Sequence, residues 1–192
     1  MNEFPDWLAS TLASDATEGR GVLPLWINPL KPGVRAIGLA FVTLMGQDDN
    51  LSVREAIQAS PSPGFVLVVA GGSTSHTATI GGLMALEMQN AGIVALVTDG
   101  LVRDARDIRQ MQQFNVWCRG VTPAASHKHG PVVVGGSVSI GGILIRDGDL
   151  VIADDDGVMI WPKEQIDALL DNASAKCQED NARLARLRQG TF

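Results

Sequence analysis

The chain has 192 residues, of which 45% are hydrophobic and 19% are charged. This composition excludes a largely disordered chain, and the length suits one domain over residues 1–192. A net charge of −6 with scattered basic residues speaks against nucleic acid as a partner, and no apolar run of about 20 residues is present to span a membrane.

Hydrophobic spacing predicts alternating helices and strands in the first two thirds of the chain. Predicted helices cover 7–18, 51–60, 79–90 and 102–112, the last beginning at or after Arg103-Asp104. Predicted strands cover 35–45, 65–70, 93–98 and 116–118. The run FVLVVA at 65–70 is apolar throughout, which is typical of a strand buried on both faces.

Beyond residue 118 the pattern becomes rich in short strands separated by Gly and Asp. Strands are predicted at 131–134, 138–145, 150–153 and 158–161, and Pro162 opens a long helix over 163–189. This order predicts the α/β class, as a mixed sheet with helices on one side in a single domain.

The two cysteines, Cys118 and Cys177, are too few to staple a domain of this size. The N-terminal residues show no basic start followed by an apolar run, which is the pattern of a secretory signal. We therefore expect a cytoplasmic protein.

Two loops that follow buried strands are candidates for chemistry. Gly71–Ser75 offers backbone N–H groups to an anion or is a simple turn, and His76 behind it is a weaker catalytic candidate. Asp99–Asp104 brings two carboxylates and Arg103 to a strand end, which suits a carboxylate substrate and Mg²⁺ or Mn²⁺. A surface ion pair at a helix start explains the second loop equally well.

Other polar clusters favour simpler interpretations. Asp154–Gly157 lies between two apolar runs and is typical of a hairpin turn rather than a metal loop. His127 and His129 lack a third zinc ligand nearby, and no serine lies in a GxSxG elbow. A methyltransferase would need a nucleotide-binding glycine loop, which Gly71-Gly72 does not provide.

Several motifs in order along the chain resemble the RraA-like family, which includes the 4-hydroxy-4-methyl-2-oxoglutarate aldolases and proteins with the older name demethylmenaquinone methyltransferase-like. The matching segments are Ser14-Asp15-Ala16, Gly38-Leu39-Ala40, Asp49-Asn50-Leu51, Pro63-Gly64, Ala91-Gly92, Val97–Asp104, Arg119–Pro123 and Gly148–Val158. The ordered set is specific for the family and less specific for one activity.

The resemblance implies a three-layer β/β/α sandwich of the swivelling type and a homotrimer or hexamer, with the long C-terminal helix contacting a neighbouring subunit. It implies a lyase that uses a divalent metal, usually Mg²⁺, to release pyruvate from a 2-oxo acid with a second carboxylate. Oxaloacetate decarboxylation would pass through the same enolate.

The resemblance also assigns roles to residues. Arg103 would bind the substrate carboxylate and the developing enolate oxygen, and Asp104 would bind the metal. Backbone amides around Gly81, Gly82, Leu83 and Met84 would hold the substrate carboxylate. Glu179 of a neighbouring subunit, with Asp180 as second choice, would supply a further carboxylate near the metal.

The chain departs from the family pattern at Gly82, where the aldolases carry an acidic residue that handles the catalytic water. Asp99 and His76 are the candidates to replace this acid. The alternative is a non-catalytic member, such as an inhibitor of an RNA-degradation enzyme, although such members tend to lose the Arg-Asp pair that is present here.

Overall fold

The computed structural model describes residues 4–61 and 63–190. Its helices are α1 (Ser10–Ala16), α2 (Leu51–Gln58), α3 (Gly82–Asn90), α4 (Ala105–Gln110) and α5 (Ile166–Arg188). Its strands are β1 (Asn28–Pro29), β2 (Ala36–Leu44), β3 (Val66–Ala70), β4 (Ala78–Ile80), β5 (Ala95–Thr98), β6 (Leu101–Val102), β7 (Asn115–Cys118), β8 (Gly120–Val121), β9 (Ser137–Ile140), β10 (Ile143–Arg146), β11 (Leu150–Asp154) and β12 (Gly157–Trp161).

A seven-stranded sheet in the order β1-β7-β5-β3-β2-β11-β12 forms the centre of the molecule. The four strands β7, β5, β3 and β2 are parallel, and antiparallel strands extend the sheet on both sides. Every residue of β3 and β5 is buried, as their continuous apolar sequences predict. Parallel neighbours require crossovers, which α2, α3 and α4 provide.

Two further layers cover the faces of this sheet. The β9–β10 hairpin packs Val138, Ile140 and Ile145 into the core cluster on one face. Helices α2, α3 and α4 contribute Ala56, Met88 and Ile108 to the cluster on the other face. The predicted β/β/α sandwich is confirmed.

The helix predicted over 79–90 begins three residues further along the chain than predicted. Ala78–Ile80 is strand β4, which pairs with β6 in a small parallel sheet of order β4-β6-β8, so the helix starts at Gly82. The helix predicted within 102–112 begins at Ala105, consistent with the predicted start at or after Arg103-Asp104, and ends at Gln110, two residues before the predicted end. At the start of α3, a strand pairing distant in sequence overrides local helix spacing.

Neither of the strands predicted over 131–134 and 138–145 forms as a single strand. The first is not a strand, and Val134 makes only a single bridge to Thr43. The second is a hairpin, because Gly141 and Gly142 have φ values of 57° and 86° and turn the chain.

The C-terminal helix is confirmed, with a 3₁₀ turn over Lys163–Gln165 before α5. Only Leu169 and Ala173 of α5 are buried, and the helix packs on α1 near its N-terminal end. None of the helices in residues 4–61 and 63–190 is long and apolar enough to cross a membrane.

Candidate functional site

The small sheet places Arg103 and Asp104 beside the start of α3. The Arg103 backbone N–H donates to the Ile80 carbonyl at 3.0 Å, so the chain after β6 runs alongside the end of β4. Asp104 then adopts a left-handed conformation, with φ 56° and ψ 36°, as it leads into α4. Aspartate tolerates this region better than most residues, and the conformation aims its side chain back at α3.

The two side chains form a half-exposed pair. Arg103 Nε lies 3.7 Å from Asp104 Oδ2, and the side chains are 41% and 45% exposed. Asp104 Oδ2 also accepts a hydrogen bond of 2.9 Å from the Gly82 backbone N–H. The carboxylate is thereby fixed in place while the guanidinium and the carboxylate both remain accessible.

Gly81 leaves room for the Arg103–Asp104 pair to approach the start of α3. A Cβ at Gly81 would lie 2.6 Å from Asp104 Oδ2 and 2.7 Å from Arg103 Nε, although its backbone is extended. A Cβ at Gly82 would meet Asp104 Cβ at 3.4 Å, an ordinary contact. The absence of a side chain at Gly82 is therefore not imposed by packing.

The predicted amide cradle at Gly81–Met84 is smaller than expected. The Gly82 N–H is already bonded to Asp104, and the Ala85 N–H donates to the Gly81 carbonyl at 3.0 Å. Among the described residues, no acceptor faces the Leu83 and Met84 N–H groups. These two amides at the positive end of α3 remain to bind an anion.

A cavity of about 280 Å³ opens beside this pair. Its walls come from β4, the first turns of α2 and α3, the segment after β6, and the loop 125–128. The charged residues that line it are Arg54, Glu87, Arg103, Asp104 and Lys128. Three cations thus face two carboxylates in a chain whose net charge is −6, which favours an anionic ligand.

The two glycine amides of the loop after β3 are already bonded within the protein. Gly71 and Gly72 donate their N–H groups to the Asp99 carboxylate at 3.2 and 2.7 Å. Burial raises the pKa of Asp99, although these amide hydrogen bonds oppose the shift. Of the two interpretations of this loop, the structure favours the simple turn.

Neither candidate for the acid absent at Gly82 lines the cavity. Asp99 is only 4% exposed and is occupied with the loop amides. His76 is exposed, and its backbone N–H donates to Asp48 Oδ1 at 2.8 Å. This placement argues against the catalytic role predicted for Asp99.

The remaining polar clusters have structural roles. Asp154–Gly157 is the hairpin turn between β11 and β12, as predicted. The rings of His127 and His129 stack with centroids 6.3 Å apart. Within the described residues, no group of three or more His, Cys, Asp or Glu side chains could hold a metal ion.

Glu179 lies on the exposed C-terminal half of α5 and is not among the residues that line the cavity of its own chain. Asp180, the second choice, pairs with Lys176 at 3.4 Å. A contribution of Glu179 to the site of a neighbouring subunit stays a prediction.

Sequence reasoning missed Arg54, Glu87 and Lys128 as cavity residues. Lys128 lies inside the Ser-His-Lys-His-Gly segment, in which the flanking histidines are the residues typical of a metal site. Glu87 is one helical turn beyond Leu83, so helix spacing from the predicted cradle could have placed it on the same face. Arg54 gave no comparable signal.

A model of RraA-like proteins, described as Aldolase/RraA, matches residues 11–160. The chain belongs to the Aldolase/RraA family. A family relative from Halalkalibacterium halodurans, named "Putative 4-hydroxy-4-methyl-2-oxoglutarate aldolase", is 35% identical over 176 residues, covering 92% of this chain and 83% of the relative.

Two solved structures share the fold of this chain. Streptomyces coelicolor RraAS2, described as an unusual member of the RNase ES inhibitor RraA protein family, superposes with a TM-score of 0.79 at 28% identity, covering 94% of this chain and 93% of that one. An uncharacterized protein from Pseudomonas syringae pv. tomato gives a TM-score of 0.87 at 25% identity, covering 97% and 87%.

Proposed function

We propose that this protein is a divalent-metal-dependent carbon–carbon lyase that releases pyruvate from a 2-oxo acid with a second carboxylate, as an aldolase, an oxaloacetate decarboxylase or both. The observation that carries the proposal is the Arg103–Asp104 pair, held at a cationic cavity by the backbone of Gly81 and Gly82. The aldolase name of the Halalkalibacterium relative supports the reaction class.

The residues at the cavity fit a Mg²⁺ or Mn²⁺ ion. Mg²⁺ is commonly held in proteins by one or two carboxylates, with substrate and water completing its shell. Asp104 offers such a carboxylate, since Oδ2 takes the Gly82 N–H and no hydrogen bond from a described residue reaches Oδ1. When bound, the metal would act as a Lewis acid toward the 2-oxo group.

Arg103 would supply the main stabilisation from the protein itself. Cleavage of the C3–C4 bond leaves its electron pair on C3, and the resulting negative charge spreads to the C2 oxygen. A guanidinium donates to such an oxygen in a fixed planar geometry and gains strength as the charge grows. The Leu83 and Met84 N–H groups would hold the adjacent carboxylate.

Proton transfer is the step for which this chain lacks the residue of the family pattern. The hydroxyl at C4 must lose its proton during aldol cleavage, and C3 must gain one. Glu87 is the carboxylate of the cavity wall other than Asp104. If Asp104 binds both the metal and the Gly82 N–H, a water near Gly82 has no free carboxylate beside it to accept a proton. This step would then be slow, and we expect a weaker catalyst than an acid-bearing relative.

A closed trimer or hexamer would complete the site. Leu83 lines the cavity and is 79% exposed in the single chain, which suits a position covered by another subunit. Glu179 of that subunit would then approach the metal. Cyclic closure uses each contact surface once per subunit and leaves none open.

A non-catalytic regulatory or binding protein is the second candidate. Gly82 and the likeness to Streptomyces RraAS2 favour it. The intact Arg103–Asp104 pair favours the enzyme, because a protein that acts only through its outer surface has no need of that pair at a cavity.

The test is pyruvate release from oxaloacetate and from 4-hydroxy-4-methyl-2-oxoglutarate, measured with Mg²⁺, with Mn²⁺ and with EDTA. Oxaloacetate decarboxylates slowly without enzyme, so the Arg103→Ala variant at equal concentration serves as the control. Metal-dependent release above that control supports the lyase. Wild-type rates no higher than those of the Arg103→Ala variant, with either substrate, would contradict it and leave the regulatory role.

A further inference from the structure

The cavity holds two cations that the proposed chemistry does not use, Arg54 on α2 and Lys128 in the loop after β8. Among the described residues, neither side chain lies within 4.0 Å of a carboxylate, whereas Arg103 has Asp104 at 3.7 Å. Two unneutralised cations in one concave wall repel each other weakly, and an anion between them would remove that repulsion.

Hydrogen bonds connect the segments that carry these two residues. The Asn50 N–H, at the start of α2, donates to the His127 carbonyl at 3.0 Å, directly before Lys128. Asp49 Oδ2 accepts the N–H groups of His129 and Gly130 at 2.6 and 3.0 Å. The helix that bears Arg54 and the loop that bears Lys128 are therefore joined at three points.

The same wall contains an acceptor without a donor. Asn50 lines the cavity and is 4% exposed, and its Oδ1 is buried without a hydrogen-bond partner among the described residues. The amide cannot simply be reversed, because Nδ2 donates to the Thr79 carbonyl at 2.8 Å. Ser60 Oγ and Asn115 Oδ1 are also buried without a described partner, and an amide oxygen accepts rather than donates, so Asn50 Oδ1 is no ligand for an anion and recognition depends on the two cations.

We infer that Arg54 and Lys128 form a second anion subsite, which takes the distal carboxylate of a dicarboxylic 2-oxo acid while Arg103 takes the oxo-acid end. The inference rests on the proposed function for the orientation of the ligand and not for the existence of the subsite. It assigns the preference for dianionic over monoanionic ligands to these two residues, which act as specificity determinants and not as catalytic residues.

The binding of two ligands that the proposed reaction cannot cleave tests whether this subsite exists. 2-Oxoglutarate and 2-oxopentanoate have the same chain length and differ in the distal carboxylate, and neither has the C4 hydroxyl that aldol cleavage requires. We expect calorimetric titration of the full-length protein, with Mg²⁺ and with EDTA, to show tighter binding of 2-oxoglutarate.

Arg54→Gln and Lys128→Gln should each weaken 2-oxoglutarate binding by about 5- to 30-fold, within the range for hydrogen bonds to charged groups after allowance for solvent exposure. Binding of 2-oxopentanoate should change by less than about twofold. Arg106→Gln and Lys163→Gln are matched controls, because they remove the same charge from exposed residues that do not line the cavity.

Three results would overturn the inference: no measurable binding of 2-oxoglutarate to the wild-type protein, equal affinity for the two ligands, or equal losses in the control and cavity variants. The last would mean that only the overall charge matters. Failure of the lyase proposal would look different, since the ligand preference would be present while no metal-dependent pyruvate release occurred.

Discussion

Restoring a carboxylate at the start of α3 is the sharpest test of whether the site performs aldolase chemistry. Gly82 is the first residue of α3, its φ lies outside the left-handed region, and a Cβ there meets Asp104 Cβ at 3.4 Å and Asp107 Cβ at 3.8 Å. Gly82→Asp therefore requires neither backbone strain nor displacement of a neighbour.

The expected change in stability is small because two electrostatic contributions oppose each other. A carboxylate in the first turn of a helix contributes about 0.3–1 kcal/mol of stability. Repulsion from the half-exposed Asp104 and from Asp107 costs roughly 1 kcal/mol at the high effective dielectric of a surface site. For a chain of this length, a net change of about 1 kcal/mol corresponds to a Tm shift of about 2–4 °C.

The expected change in rate is larger. A positioned general acid–base is worth about 10²–10⁴-fold, and a grafted group whose surroundings were not built for it recovers only part of that. We expect Gly82→Asp to increase metal-dependent pyruvate release by at least about 10-fold. The assay pairs a melting curve with initial rates on oxaloacetate and on 4-hydroxy-4-methyl-2-oxoglutarate.

Gly82→Asn is the matched control, since it has the same shape and cannot accept a proton. A folded Gly82→Asp variant that is no faster than Gly82→Asn on either substrate would refute the reasoning. Gly82 would then mark a different substrate or a binding role, and not a missing acid.

Four further outcomes are expected. Arg103→Lys should lower kcat/KM by about 1.5–3 kcal/mol of transition-state stabilisation, because an ammonium cannot reproduce the planar fork; unchanged kinetics would remove Arg103 from the site. Asp104→Ala should abolish metal-dependent turnover and keep the far-UV circular dichroism spectrum, since the residue is half exposed, whereas joint loss of activity and fold would indicate a structural role. Burial raises the pKa of Asp99 above 3.8, so protonation of Asp99 favours the folded state. The free energy of unfolding of wild type relative to Asp99→Asn should therefore fall as pH rises from about 3.8 through the raised pKa; the opposite slope in denaturant titrations would contradict the burial argument. Light scattering should give a mass three or six times 20.3 kDa, and an active monomer would exclude Glu179 from the site.

The parallel centre of the fold could be predicted because its strands carry the signal within themselves. Residues 65–70 and 93–98 are apolar at every or nearly every position, and only a strand buried on both faces requires that pattern. The small sheet could not be predicted, since β4 and β6 have three and two residues and exist only through their mutual pairing.

The candidate site likewise has one part that the sequence could predict and one part that it could not. Arg103 and Asp104 could be found, because a charged pair directly after a buried strand is visible in one stretch of sequence. The cavity wall that bears Arg54 and Lys128 could not, because those residues are 74 positions apart and their segments are joined by the hydrogen bond from the Asn50 N–H to the His127 carbonyl. The commitment of the Gly82 N–H to Asp104 likewise depends on the left-handed turn at Asp104.

The hydrogen bonds that the His129 and Gly130 N–H groups donate to Asp49 also affect how the protein folds. Each of these bonds closes a loop of about eighty residues, and the entropy lost in closing it is recovered only after the sheet has brought both ends together. The pairing of β2 with β11 closes still longer loops, so the cavity should form together with the complete sheet. Ligand binding should then recover with the sheet signal on refolding, and mutations in the loop 125–130 would affect the cavity while leaving the sheet able to assemble.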